Sequence, residues 1–401
     1  MQEAVKSRLQ ILAIAPHPFY QERGTPIACR LLCEALVSEG HRVDLLTYPE
    51  GNDIEISNFR IFRTIRLPLL KNIPIGLSFK KLVCDMLLVF SLIRRCAGKH
   101  YDVVHAGEES VFLAIWLRFL HGARVVYDMD SSLADQVVEK FPVLGFLAWY
   151  LDAFEKMAFR DAELILPVCD ALARKIWQVD RKKPLEILED VFFEPEKTGI
   201  AVEDLRKDLP ASVPMMLYVG NLEKYQGIDL LLESLSMLVS SGQREWILNM
   251  VGGVEADIFR YREMTDKLGL QDNVKFLGPR PLAQLPLLLD QADILLSPRI
   301  KGGNTPMKLY SYLASGKPVL ATRISSHTQA VDDTSCVLVE PEASAMAEGL
   351  QRLMSDPSLR KQIGEAGKAL AYGRYSLKTY REKLSGAYEC LASDLRGVLR
   401  V

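Results

Sequence analysis

Twice along this chain, short runs of almost uninterrupted apolar residues alternate with helical patterns, and that alternation restricts the fold most. In the first half the runs are LQILAIA (Leu9–Ala15), RVDLLT, VVHA (Val103–Ala106), RVVYD (Arg124–Asp128) and LILPV (Leu164–Val168). In the second they are MMLYVG, WILNMVG, VKFLG, DILLSP, PVLAT and CVLVE, with helical patterns at Ile228–Val239, Ala256–Leu268, Leu282–Leu289 and Pro306–Ala314. A strand with one wet face alternates polar and apolar residues; one that is apolar throughout is buried on both faces, as in a parallel sheet covered by helices. A polar, Pro-containing stretch at Glu194–Pro214 separates the halves. The expectation is an α/β chain of two doubly wound, Rossmann-like domains, residues 1–200 and 201–375, followed by an amphipathic helix within 376–401. At 401 residues the chain exceeds one ordinary core. Domains of this kind hold ligands at the carboxyl ends of their strands, which predicts a site in the cleft where the two face each other.

Composition narrows the partners. A formal net charge of −2 argues against nucleic acid. Seven scattered cysteines with no CxxC pair read as reduced thiols of a cytoplasmic protein. The N-terminus lacks an apolar signal core, and the most apolar stretches, Leu82–Ile93 and Val143–Leu151, are too short or too charged to span a bilayer. One local imbalance stands out: Ser57–Tyr101 holds nine Lys or Arg and one acid, Asp85. The cations flank LVCDMLLVFSLI, with Lys80 and Lys81 before it and Arg94, Arg95 and Lys99 after. Two readings stand: a helix packed on the core beneath a solvated basic face, or peripheral contact with an anionic membrane.

Each half carries one Thr-Pro helix start, Arg23-Gly24-Thr25-Pro26 and Gly302-Gly303-Asn304-Thr305-Pro306. Thr suits the N-cap and Pro the first helical position, so capping alone accounts for the pair. Lys308 points further. A cation in the first turn is disfavoured by roughly 0.3–1 kcal/mol, unless an anion such as a diphosphate docks there. Helical spacing puts Lys308, Ser311 and Ser315 on one polar face and Leu309 and Leu313 on an apolar one.

With these motifs in hand, the chain resembles the retaining glycosyltransferases of family 4, which have the GT-B fold. The resemblance runs through HPFYQERGTP, YVGNLEKYQGIDLLLESL (Tyr218–Leu235), NVKFLGPRPLAQLPLLLDQADILLSP (Asn273–Pro298), NTPMKLYSYLASGKPVLAT (Asn304–Thr322) and the helix after Tyr375-Ser376. It implies a second domain that binds a nucleoside-diphosphate sugar and a first domain that offers a glycan or lipid-linked acceptor. It also implies transfer with retention and no metal or other cofactor, and a last helix that crosses back to the first domain. The donor-side positions it marks are Gly24, Thr25, Gly220, Asn221, Lys224, Gln226, Gly278, Arg299, Asn304, Thr305, Pro306, Met307, Lys308 and Ser311.

Several positions depart from the family pattern. The paired glutamates that grip ribose fall on Gly303 and Ser311, and a hydroxyl is a weaker acceptor than a carboxylate. The Arg and Lys that reach the diphosphate fall on Asn221 and Gln226, so the positive charge must come from Lys224, Lys308, Arg299 or Arg23. In the first domain Asp130 stands where many relatives have histidine, while His105 matches a family histidine and is followed by Glu108 and Glu109. The catalytic candidates are thus Asp130, His105 and Glu109; a carboxylate at 130 could take a proton or face developing positive charge. Asp128-Met129-Asp130 also spells D-x-D, a metal signature of the other large transferase fold, but it lies away from the expected donor half. His327 is either the start of a surface helix capped by Ser325 or Ser326, or a neighbour of the donor phosphates. A nucleotide-sugar 2-epimerase and a non-catalytic sugar-nucleotide-binding protein are the alternative readings.

Overall fold

The computed structural model describes residues 8–21, 24–68, 70, 73, 78–140, 148–193, 200–207 and 209–398. The chain divides into two compact units, residues 1–189 with 380–401, and residues 190–379.

Unit 1 is a six-stranded parallel sheet in the order β3-β2-β1-β4-β5-β6. Its elements run β1 (Gln10–Ala15), α1 (Gly24–Ser38), β2 (Arg42–Thr47), β3 (Phe59–Arg63), α2 (Phe79–Gly98), β4 (Val103–Gly107), α3 (Ser110–Trp116), α4 (Arg118–His121), β5 (Arg124–Met129), α5 (Leu133–Lys140), α6 (Ala148–Asp161), β6 (Leu164–Pro167) and α7 (Asp170–Val179). The central strands are buried on both faces, as their unbroken apolar runs require. The strand β3 has no counterpart among the sequence expectations. It is an edge strand, half exposed and alternating Arg with Phe and Ile, so it lacks the continuous apolar run of a central strand.

Unit 2 repeats the scheme in the order β12-β11-β10-β7-β8-β9. It comprises β7 (Met215–Val219), a 3-10 turn at Lys224–Gln226, α8 (Ile228–Ser240), β8 (Ile247–Val251), α9 (Glu255–Lys267), β9 (Val274–Gly278) and a second 3-10 turn at Leu282–Gln284. It continues through α10 (Leu285–Gln291), β10 (Ile294–Ser297), α11 (Met307–Ala314), β11 (Val319–Thr322), α12 (Ser325–Thr328), β12 (Val337–Val339), α13 (Ala343–Ser355) and α14 (Pro357–Arg374). One apolar cluster, around Leu231, Leu235, Trp246 and Leu350, covers one face of the sheet, and another, around Leu288, Leu309, Leu313 and Tyr375, covers the other.

The last helix, α15 (Leu377–Val398), returns to unit 1. Tyr380, Leu384, Tyr388, Leu391 and Ala392 are buried at helical spacing. Lys383 Nζ pairs with Glu189 Oε2 at 2.5 Å, and Ser385 Oγ donates to Glu39. The unit boundaries differ from the sequence expectation of 200 and 375. Phe192 is buried in the core of unit 2, and its amide donates to the Tyr375 carbonyl, so the chain joins unit 2 before the polar stretch begins.

Candidate functional site

In each sheet the strand order reverses once, between β1 and β4 in unit 1 and between β7 and β10 in unit 2. The loops leaving such a pair diverge to opposite faces and open a crevice at the carboxyl ends of the strands. Some of the residues marked by the sequence lie at these two places and others do not, and each is described within its own unit.

At the unit 2 crevice, Gly220 leaves β7 with φ +152, and Arg299 leaves β10. Lys308 is the second residue of α11, whose N-cap is Pro306 with extended backbone. Thr305 therefore does not cap the helix, and Pro occupies the cap rather than the first helical position. The amides of Met307 and Lys308 are among those a helix leaves without an internal partner. Lys308 Nζ lies 4.0 Å from the centre of the Tyr218 ring and donates to Gln226 Oε1 at 2.9 Å. A Cβ on Gly220 would lie 3.2 Å from that ammonium, so the glycine leaves room for it. No carboxylate pairs with Lys308 among the described residues. Burial pushes its pKa well below the usual lysine range, and the Arg299 cation adds to the shift. Arg299 donates from Nε to the Lys301 carbonyl at 2.6 Å and from one Nη to the Asn304 carbonyl at 3.1 Å, and its guanidinium sits over the Tyr225 ring. Lys308 and Arg299 thus converge beside helix-start amides that have no partner within α11, the electrostatics of an anion site.

Other donor-side candidates are placed as follows. Asn221 is exposed and donates to the Tyr225 hydroxyl, and Lys224 is exposed at the start of the 3-10 turn. Gln226 is buried as the partner of Lys308. Gly278 ends β9 with φ +70. Asn304 is half-buried, Thr305 and Pro306 are buried, and Met307 is half-buried. The shared polar face of α11 needs correction. Leu309, Tyr310, Ser311, Tyr312 and Leu313 are all buried, because the helix lies between its sheet and α14 and is covered all round. Ser311 Oγ accepts the Phe193 amide at 3.3 Å rather than facing outward beside Lys308. His327 is not at a surface helix start either. It is fully buried, with Nε2 2.9 Å from Ser297 Oγ and Nδ1 2.8 Å from the Thr322 carbonyl. The N-cap of α12 is Ile324, without a side-chain cap from Ser325 or Ser326. Burial drives the His327 pKa down to about 4, so the ring is neutral at physiological pH.

At the unit 1 crevice a recess is lined by His17, Thr25, Cys29, His105, Gly107, Glu108, Asp128 and Asp130 with apolar residues of β1. Gly24 begins α1, and Arg23 lies outside the described residues. Glu109 does not join this group: its carboxylate pairs with Lys81 of α2. The inward-facing carboxylate is its neighbour Glu108, whose backbone has φ +48, a conformation uncommon outside glycine. That sign of φ was not readable from two successive glutamates.

The basic segment is also less free than its composition suggests. Lys81 is held by Glu109, while Arg95 and Lys99 are held by the buried Asp44. The apolar run read from the sequence divides between two faces of α2, exposed at Phe79, Leu82, Met86, Phe90 and Ile93, while Cys84, Leu88, Leu92 and Cys96 face the core. Trp116, Phe119, Leu120, Trp149 and Tyr150 of unit 1 are exposed as well, and α2 packs beside α4. No described helix is long and apolar enough to cross a membrane.

Two doubly wound parallel sheets, each with a polar crevice at its switch point, are the GT-B architecture. The model for glycosyl transferases group 1 matches residues 202–370, and that for a glycosyl transferase 4-like domain matches residues 23–184. The chain belongs to the family 4-like glycosyltransferases. It is 31% identical over 186 residues to D-inositol 3-phosphate glycosyltransferase of Corynebacterium diphtheriae, covering 45% of this chain and 43% of that one, so the match spans less than half of that relative's length. Phosphatidyl-myo-inositol mannosyltransferase of Mycobacterium leprae is 23% identical over 96% of this chain and 98% of its own. Sucrose-phosphate synthase from Thermosynechococcus elongatus superposes with a TM-score of 0.78 at 22% identity, over 96% of this chain and 100% of that chain. Anabaena HepE in complex with UDP-glucose gives 0.69 at 18% identity, over 96% and 100%.

Proposed function

We propose that the enzyme transfers a sugar from a nucleoside-diphosphate sugar to a glycan or lipid-linked acceptor, with retention of configuration and without a metal. The observation that carries this reading is Lys308, a half-buried cation with no carboxylate partner among the described residues, beside Arg299 and the first amides of α11. A diphosphate supplies the missing negative charge. As the bond from the sugar C1 to the phosphate oxygen breaks, charge gathers on the departing diphosphate, and these fixed donors stabilise it there. The acceptor hydroxyl passes its proton to the oxygen of the departing diphosphate as its own oxygen bonds to C1. The UDP-glucose complex of a fold neighbour supports the donor class. Gly303 and Ser311 in place of two glutamates imply that ribose is held by fewer charged contacts, with the main grip on the diphosphate. Thermal stabilisation by UDP and by UDP-sugars tests this. In Lys308→Ala the affinity should fall about 10- to 100-fold, the worth of one or two charge-assisted hydrogen bonds. Unchanged affinity would remove Lys308 from the donor site and with it the basis for this reading.

The acceptor side brings a second element. The exposed stripe of α2 supports peripheral contact with an anionic membrane, with Arg94 at its end and Lys80 at its start. A lipid appears in the name of the Mycobacterium leprae relative. Sedimentation with anionic liposomes is the direct test, and absence of binding at low salt removes the membrane from the account.

A further inference from the structure

The recess in unit 1 has a chemistry of its own. Three carboxylates, Glu108, Asp128 and Asp130, line it together with His105, and none of the described lining residues is Lys or Arg. An acidic cluster alone says little, but His105 adds an independent observation. Its side chain is 1% exposed, and Nδ1 lies 2.7 Å from the Tyr388 hydroxyl of α15. On the opposite edge of the ring Nε2 has no hydrogen-bond partner, although it stands 3.3 Å from Asp128 Oδ2. A buried ring nitrogen left without a partner is costly, and in native sites it commonly meets a ligand or water.

Burial keeps the Tyr388 phenol protonated, with the Asp128 charge acting in the same direction, so its hydroxyl occupies Nδ1 and leaves Nε2 as the ring edge without a hydrogen bond. The recess therefore offers carboxylate acceptors and one imidazole nitrogen. A hydroxyl both donates and accepts, and it satisfies both kinds of group at once. A phosphate has only acceptor oxygens and would face three carboxylates. The inner space is about 20 Å³, room for roughly one water-sized group. It takes a single hydroxyl of a larger ligand, with the ring outside.

We propose that this recess recognises the acceptor by a hydroxyl of a neutral polyol or sugar, and that it rejects a phosphate at that position. The proposal deepens the glycosyl-transfer reading and rests on it for the word acceptor; the selectivity stands on the recess alone. Burial pushes Glu108 above the usual carboxylate range, opposed by Lys81 and reinforced by Asp128, so the recess already strains to hold its own negative charge.

The test uses the full chain with UDP present and four probes: myo-inositol, methyl α-mannoside and a monophosphate of each. Binding is read by saturation-transfer NMR in the wild type, Glu108→Gln and Asp130→Asn. The neutral probes should bind at least about tenfold more tightly than their phosphates, the effect of one unfavourable charge pair in a partly wet site. The isosteric amides should narrow that gap to about threefold or less by removing one carboxylate charge each. The proposal is overturned if the phosphates bind as tightly as the neutral probes, if the gap survives both substitutions, or if no probe binds. UDP-induced stabilisation of the same samples, with Lys308→Ala as its control, reports on the donor reading alone. Loss of the donor effect with intact polyol selectivity sinks that reading and leaves this one, and the converse result does the reverse.

Discussion

His327 feels the charge of Lys308 in unit 2, and burial lowers the pKa of both. Their legibility differed. A lysine in a helix's first turn is anomalous against the helix dipole, and that anomaly pointed to an anion from sequence alone. A histidine after two serines carries no such signal, because its burial depends on Ser297 and Thr322, contributed by β10 and β11. Likewise Glu108 and Glu109 are equivalent as letters; a positive φ at the first and a lysine at position 81 separate them. His327 has a measurable consequence. Its folded pKa of about 4 lies below the unfolded value of about 6.5, so unfolding takes up a proton between those limits. Stability should be fully present above pH 6.5 and should fall by about 3 kcal/mol from this group as pH drops to 4. Denaturant unfolding at stepped pH should show that loss in the wild type and a flatter acid limb in His327→Gln. Equal slopes would mean that the ring is not buried neutral.

Among elements, the 3-10 turn Lys224–Gln226 places the hydrogen-bond partner of Lys308. It ends at Gly227 with φ +72, where a Cβ would collide with the Pro298 carbonyl. The missing side chain lets the turn lie against the loop that carries Arg299, and the Ile300 amide closes the contact on the Tyr225 carbonyl at 2.9 Å. Gly227→Ala should cost about 2 kcal/mol or more by chemical denaturation and weaken UDP binding, although no side chain touching the anion site is removed. The helix α2 was partly legible: its apolar run and flanking cations could be read, but not which apolar residues face outward or which cations are paired. Charge counting gave a basic segment, yet four of its cations, Arg60, Lys81, Arg95 and Lys99, are spent on Glu109 and Asp44, and the exposed face of the helix is apolar. Phe90→Glu should leave unfolding within about 0.5 kcal/mol, as befits an exposed site, while reducing liposome association about tenfold. A loss of stability instead would place Phe90 in the core.

For the molecule as a whole, the doubled strand-helix alternation was the most readable property. Apolar strands advertise a parallel sheet, and switch points follow from the strand order. Unit limits were less readable, because Phe192 and Tyr375 assign their segments by packing and not by composition. The separation into units makes ligand effects separable too. UDP should slow amide hydrogen exchange around residues 218–227 and 298–309 of unit 2 by roughly its binding free energy, and uniform protection across both units would argue against a donor site confined to unit 2.

The path of the chain through unit 1 also bears on how the enzyme is made. Translation delivers residues 1–189 first, but Tyr388, the partner of His105, and Lys383, the partner of Glu189, arrive with the last helix. An emerging chain can assemble the sheet of unit 1 early, yet its buried histidine waits for a hydroxyl encoded some 280 residues downstream. Unit 2 has every residue it needs before that moment. Unit 2 can therefore be complete while unit 1, begun earlier, still lacks α15, and the arrival of that helix is the step that closes it.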